Sequence, residues 1–175
     1  IGKTLDAKES YEKAIEFKPE FAEPYYNLGN VLKILGQTRE AEESFKKTIS
    51  LKPDHVKSYN NLGVILQESN RLNEAVAMFK KAIGLNSKFA EAYSNLANTL
   101  KELGILAEAE AICGQAIFLK PDYAEAHFGM GNILHELGNL EGAAQYYKKA
   151  INLKNDFATA YNNLGTTLED LGQFE

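Results

Sequence analysis

One pattern of about fifteen residues returns along this chain every 34 residues, and a fixed period of that size limits the fold before anything else is read. It stands as AEPYYNLGNVLKILG from Ala22, VKSYNNLGVILQESN from Val56 and AEAYSNLANTLKELG from Ala90. AEAHFGMGNILHELG follows from Ala124 and ATAYNNLGTTLEDLG from Ala158. Repeats of this length pack mainly on their neighbours, so the chain reads as an all-α solenoid of stacked helix pairs. Residues 22–55, 56–89, 90–123 and 124–157 are full repeats of a single array over 1–175. Residues 1–21 match the second half of a repeat, with Gly2, Ala7, Tyr11, Ala14 and Pro19 in register. Residues 158–175 supply a first helix and, at Phe174 and Glu175, the start of a second. Both ends are out of phase with the period, which reads as part of a longer array.

Each repeat is numbered here from 1 to 34. Position 4 is Tyr25, Tyr59, Tyr93, His127, Tyr161; position 7 is Leu or Met; position 11 is always Leu. Position 8 is Gly29, Gly63, Ala97, Gly131, Gly165. Spacings of 3, 4 and 7 set these on one face of a first helix. The small residue at position 8 lets another helix approach, and a larger one there would overpack the contact. Position 15 is Gly36, Asn70, Gly104, Gly138, Gly172, residue types that tolerate the left-handed backbone ending a helix. A second helix should begin two or three residues later. Its inner face is Ala at 20, an aromatic or Cys113 at 24, and Ala or Thr48 at 27. Pro53, Ser87, Pro121 and Asn155 at position 32 should break it.

This series of an aromatic, Leu-Gly, Leu, Gly, Ala, an aromatic, Ala and Pro resembles the tetratricopeptide repeat over the whole chain. The resemblance implies a right-handed superhelix, with first helices on the concave face and second helices on the convex one. It also implies a binding scaffold for peptides or proteins and not an enzyme. Five first helices about 8–10 Å apart would make a groove roughly 40 Å long. At about 3.3 Å per residue it would take about 12 residues of extended peptide.

The groove side of the first helices carries asparagine. Position 6 is Asn27, Asn61, Asn95, Gly129, Asn163, and position 9 is Asn30, Val64, Asn98, Asn132, Thr166. Stacked repeats would turn these into a ladder whose amides donate to and accept from a peptide backbone, or else brace the groove. Tyr26 and Phe128 at position 5 join them as contact candidates. The ladder is similar to that in the repeats of O-GlcNAc transferases and SPINDLY-type glycosyltransferases, which implies an alternative role as the substrate-recognition arm of a larger enzyme. That carry-over reaches Asn27, Asn61, Asn95 and Asn163 and fails at Gly129. The family's carboxylate clamp fits at Asn30 and Asn61 only. Tyr26, Glu91 and Asn95 stand where it needs basic or matching residues, and an acidic group would repel a terminal carboxylate. A third reading is self-association through apolar helix faces at the two ends of the array.

Charge is unevenly spread. Residues 1–89 carry 14 Lys and Arg against 12 Asp and Glu, whereas 90–175 carry 5 against 12. An acidic chain suits a phosphate backbone poorly, so nucleic acid is not an expected partner. Glu68, Glu102, Glu136 and Asp170 at position 13 suggest a preference for basic segments toward the C-terminal half. No apolar run approaches a membrane span. The lone Cys113 rules out an intrachain disulfide and fits a cytoplasmic, reducing compartment. In place of a core aromatic it reads as a buried thiol and not a nucleophile. His55, His127 and His135 lie too far apart for one metal, and no cofactor motif appears. Junction aromatics at position 34 (Phe21, Phe89, Tyr123, Phe157, with His55 in the same place) read as packing between repeats.

Overall fold

The computed structural model describes residues 2–173, so the expected second-helix start at Phe174 and Glu175 lies outside them. The chain divides into two compact units, Ile1–Asn86 and Ser87–Glu175. The first holds α1 (Gly2–Phe17), α2 (Ala22–Ile34), α3 (Thr38–Leu51), α4 (Val56–Glu68) and α5 (Leu72–Leu85). The second holds α6 (Ala90–Glu102), α7 (Leu106–Leu119), α8 (Ala124–Glu136), α9 (Leu140–Leu153) and α10 (Ala158–Gln173). No strand occurs among the described residues. In each unit a first helix pairs with the second helix that follows it: α2 with α3, α4 with α5, α6 with α7, α8 with α9.

The turn inside each pair is set by position 15. Gly36, Asn70, Gly104 and Gly138 adopt φ of 73°, 58°, 75° and 78°. The left-handed residue lets the chain double back while its last carbonyls stay bonded. In the first turn Gly36 N–H donates to Lys33 O at 3.1 Å and Gln37 N–H to Leu32 O at 2.9 Å, and the other three turns repeat the scheme. Gly172 is the exception: α10 runs through it to Gln173. A glycine inside a helix costs only about 1 kcal/mol.

Second helices stop at Leu51, Leu85, Leu119 and Leu153 whether position 32 is Pro, Ser or Asn. Proline is therefore not what ends them. Position 4 reaches the same junction: Tyr59 OH donates to Pro53 O at 3.2 Å, and His127 Nε2 to Pro121 O at 2.8 Å. That shared carbonyl explains why Tyr and His both serve there.

The core of each pair is the meeting of positions 8 and 24. A Cβ placed on Gly29 would stand 2.7 Å from the Phe45 ring, on Gly63 2.6 Å from Phe79, and on Gly131 2.5 Å from Tyr147. These separations leave no room for a methyl group. The fourth pair reverses the sizes, with Ala97 facing the smaller Cys113, and both are buried. Alanines 41, 75, 109 and 143 at position 20 are fully buried beside them. A further buried row was not read from sequence. Ser58, Ala92, Ala126 and Ala160 at position 3, and Ile65, Thr99, Ile133 and Thr167 at position 10, have no exposed surface. Apart from Ile65 and Ile133, their small or polar types carry little hydrophobic signal. At α10 the apolar face stays open: Tyr161 and Leu168 are 52 % and 46 % exposed, against 8 % and 2 % for Tyr59 and Leu66 at the same positions of α4.

Changing Gly63→Ala should destabilise the protein by about 1–3 kcal/mol in denaturant unfolding. The same change in a Phe79→Cys background, which copies the Ala97–Cys113 pair, should cost clearly less. Equal costs in the two backgrounds would show that the ring does not set the size of position 8.

Candidate functional site

The groove-side asparagines are brought together in pairs, each pair within one unit. In the first unit Asn61 Nδ2 donates to Asn30 Oδ1 at 2.8 Å, linking position 6 of α4 to position 9 of α2. In the second, Asn163 Nδ2 donates to Asn132 Oδ1 at 2.9 Å in the same register. Asn60 and Asn162, at position 5, donate at 3.4 Å to the side-chain oxygens of Asn61 and Asn163. Asn98 shows what replaces the pair when position 6 is glycine. Its Oδ1 lies 3.0 Å from where a Cβ at Gly129 would stand, so the amide leans over the bare backbone. Asn27 and Asn95 are half-buried on α2 and α6.

Tyr147 adds a group that sequence reading assigned wholly to the core. Its ring fills the space over Gly131, while its hydroxyl donates to Asn132 Oδ1 at 2.9 Å. Burial pushes its phenol above the ordinary tyrosine value. The available signal was Tyr in place of Phe at position 24, a polar atom at the tip of a buried ring. Asn132 and Asn163 line a cavity of about 360 Å³ with Tyr147, Lys101, Glu136 and His135.

The position-5 aromatics are half-buried in ring clusters and do not stand clear of the surface. Tyr26 lies 4.7 Å from His55 and 6.0 Å from Phe45. Phe128 lies 4.9 Å from Phe157 and 5.8 Å from Tyr147. Position 34 thus packs under position 5 of the same-unit helix before it. Lys120 and Lys154 cover the outer faces of Tyr123 and Phe157 at 4.7 and 4.8 Å.

Most acidic residues on this side have cationic partners. Lys33 meets Glu68 at 3.2 Å, Lys101 meets Glu136 at 2.9 Å, and His135 meets Asp170 at 3.2 Å, each joining position 12 to position 13 of the next repeat. Glu23, Glu91 and Glu125 at position 2 pair with Lys52, Lys120 and Lys154 at 3.2–3.3 Å. Exposed pairs of this kind contribute about 0–1 kcal/mol each, so they tune the surface field more than stability. Cys113 is buried, donates to Ala126 O at 3.3 Å, and has its thiol pushed up to about 12 by burial. It carries almost no thiolate near neutral pH. Among the described residues no three His, Cys, Asp or Glu side chains gather in metal-binding geometry, and no helix is long and apolar enough to cross a membrane.

Helix pairs in fixed register, with bonded amides on their first helices, define an all-α helical-repeat protein. Tetratricopeptide-repeat family models match residues 2–36 and 131–172, 20–88, and 66–127, and the chain is accordingly built of tetratricopeptide repeats. The solved structure of MamA is similar at 26 % identity and a TM-score of 0.78, covering 90 % of this chain and 92 % of that one. YrrB, described as a TPR protein with an unusual peptide-binding site, is similar at 25 % identity and a TM-score of 0.74, covering 92 % and 83 %. TTC0263, a thermophilic TPR protein of Thermus thermophilus, shares the fold at 23 % identity and a TM-score of 0.77, covering 95 % and 91 %. No curated protein matches the sequence. These matches carry the repeat and its fold.

These contacts have two testable consequences. Asn132→Ala removes the acceptor shared by Tyr147 and Asn163 and should destabilise the protein by about 1–3 kcal/mol. Tyr147→Phe in that background should restore part of the loss, and no recovery would show that the phenol does not depend on Asn132. The second concerns His55, whose Nδ1 accepts from the Ser58 backbone N–H at 3.3 Å and caps α4. Burial, then the nearby Lys52, lowers its pKa below the ordinary value of 6.5. The unfolded chain therefore binds the proton more readily, and the cap's contribution is whole above about pH 6.5 and lost as pH falls through the folded value. His55→Asn keeps a capping oxygen without the titration. The stability difference between wild type and this variant should shift toward the variant below pH 6.5, and a constant difference would refute the assignment.

Proposed function

We propose that this chain is a non-catalytic protein-binding scaffold whose units each hold an extended segment of a partner against their own first helices, α2 and α4 in one and α6, α8 and α10 in the other. The observation that carries this reading is how the amides are bonded. Asn30 and Asn132 each accept through Oδ1 from the next repeat. That fixes the amide plane and leaves the Nδ2 donors without an acceptor among the described residues. A fixed, unused N–H pair beside a 360 Å³ cavity suits the carbonyl oxygens of an extended backbone, which a partner of any sequence supplies. The peptide-binding site for which YrrB is described supports peptide binding as a use of this fold. Ion pairing across positions 12 and 13 leaves limited free negative charge for a basic segment, so backbone recognition is the main term.

A second reading, self-association, rests on the open face of α10, where a Cβ at Gly165 would meet nothing. Sedimentation of the 175-residue chain over a concentration series tests it, and a monomer throughout would remove it.

For the main reading, peptides selected from a random library on the wild-type chain should bind about tenfold or more weakly to a variant with Asn30, Asn61, Asn132 and Asn163 changed to Ala. Circular dichroism should show the same helix content in both. Unchanged affinity would sink the role of the amides, and a library that yields no binders would sink peptide binding itself.

A further inference from the structure

On the face of α2 turned away from Asn27 and Asn30, a cleft opens between α1 and α3. It encloses about 500 Å³ over Tyr25, Leu28 and Leu32 of α2, with Ile15 of α1 completing the apolar floor. Position 23 explains why it is open. The full repeats carry Ser44, Met78, Ile112 and Tyr146 there. In the repeat from Ala124, Tyr146 stacks on the position-4 ring of His127 at 5.9 Å, so a large residue at 23 covers position 4. Ser44 is too short to do this for Tyr25. Position 16 acts in the same sense. Arg71 joins α5 to α3, meeting Glu42 at 2.9 Å and Glu74 at 2.7 Å, whereas the repeat from Ala22 has Gln37 there.

The rim of the cleft is acidic, although residues 1–89 as a whole are not. Lys8 answers Glu12 at 3.7 Å, and Lys47 lies 6.0 Å from the centre of the Tyr25 ring. Glu16 from α1, with Glu40 and Glu43 from α3, also lines the cleft and makes no ion pair among the described residues. An apolar floor lacking one large side chain lies beside three carboxylates without ion pairs, with Lys8 and Lys47 on the same rim.

We propose that this cleft docks a basic amphipathic segment of a partner protein. The segment seats one long apolar side chain on Tyr25, Leu28 and Leu32, where Met78 or Tyr146 stands in later repeats. Its lysines or arginines meet Glu16, Glu40 and Glu43. Charge complementarity selects the occupant: an acidic segment would meet three unpaired carboxylates at short range, and a purely apolar one would leave them beside a dehydrated surface. The site is independent of the asparagine surface.

The probe is a short fluorescein-labelled peptide of leucine and lysine in helical spacing, with a leucine–glutamate peptide as control. Anisotropy titrations should show binding of the lysine peptide that weakens as salt rises, and binding of the control weaker by about tenfold or more. Ser44→Met supplies the missing side chain from within and should weaken binding about tenfold or more while holding or raising thermal stability. A Glu16→Gln, Glu40→Gln, Glu43→Gln variant should lose most of the salt dependence. Amide shifts in a ¹⁵N-labelled sample should cluster around Tyr25, Leu28 and Ser44. Equal binding of both peptides, full affinity in Ser44→Met, or shifts confined to the asparagine face would each overturn the proposal.

Discussion

The contact between positions 8 and 24 sets the distance between the two helices of every full repeat, and in three of the four the residue at 24 is an aromatic ring. A missing Cβ on one helix admits the face of an aromatic ring from the other, with 2.5–2.7 Å left where a methyl would stand. The rest of the pair depends on that approach. The alanines at positions 20 and 27 are buried because the helices are this close. The Tyr147 hydroxyl reaches Asn132 because its ring lies flat over Gly131. The Ala97–Cys113 pair shows that the constraint acts on the sum of two volumes and not on either residue alone.

Much of this was legible in the sequence, because helical periodicity and left-handed turn residues are local signals. The faces at positions 4, 7, 8 and 11 and the turns at Gly36, Asn70, Gly104 and Gly138 needed no tertiary information. Gly172 shows the limit: the same residue type lies inside α10 and ends no helix there. The buried row of Ser58, Ala92, Ala126 and Ala160 was missed because small side chains signal neither core nor surface. It becomes visible only once another helix is laid against it.

The candidate surfaces were legible as residue types and not as contacts. Asparagines at positions 6 and 9 could be counted, but whether they face a ligand or each other depends on the offset between successive helices. That offset joins position 9 to position 6 and position 12 to position 13 of the following repeat. The acidity at positions 13 and 2 is answered by Lys33, Lys101 and His135 one repeat earlier and by Lys52, Lys120 and Lys154 of the same repeat, relations that no single helix displays. The open cleft above Tyr25 is the converse case. Ser44 looks unremarkable alone and informative only beside Met78, Ile112 and Tyr146.

The ion pairs fall into two kinds with different reach. Those between positions 2 and 31, such as Glu91 with Lys120, close within one repeat, as does the contact of position 8 with position 24. Those between positions 12 and 13, and the asparagine pairs, cross from one repeat to the next. A repeat copied or moved as a block would therefore carry its steric core and its own charge balance with it. The matches at its borders would need to be found again, both the polar pairs and apolar contacts such as those of Ile151 with Ala160. Growth of such a chain by duplication is thus tolerated by its core and edited at its seams, on the same surface where partners are expected to be chosen.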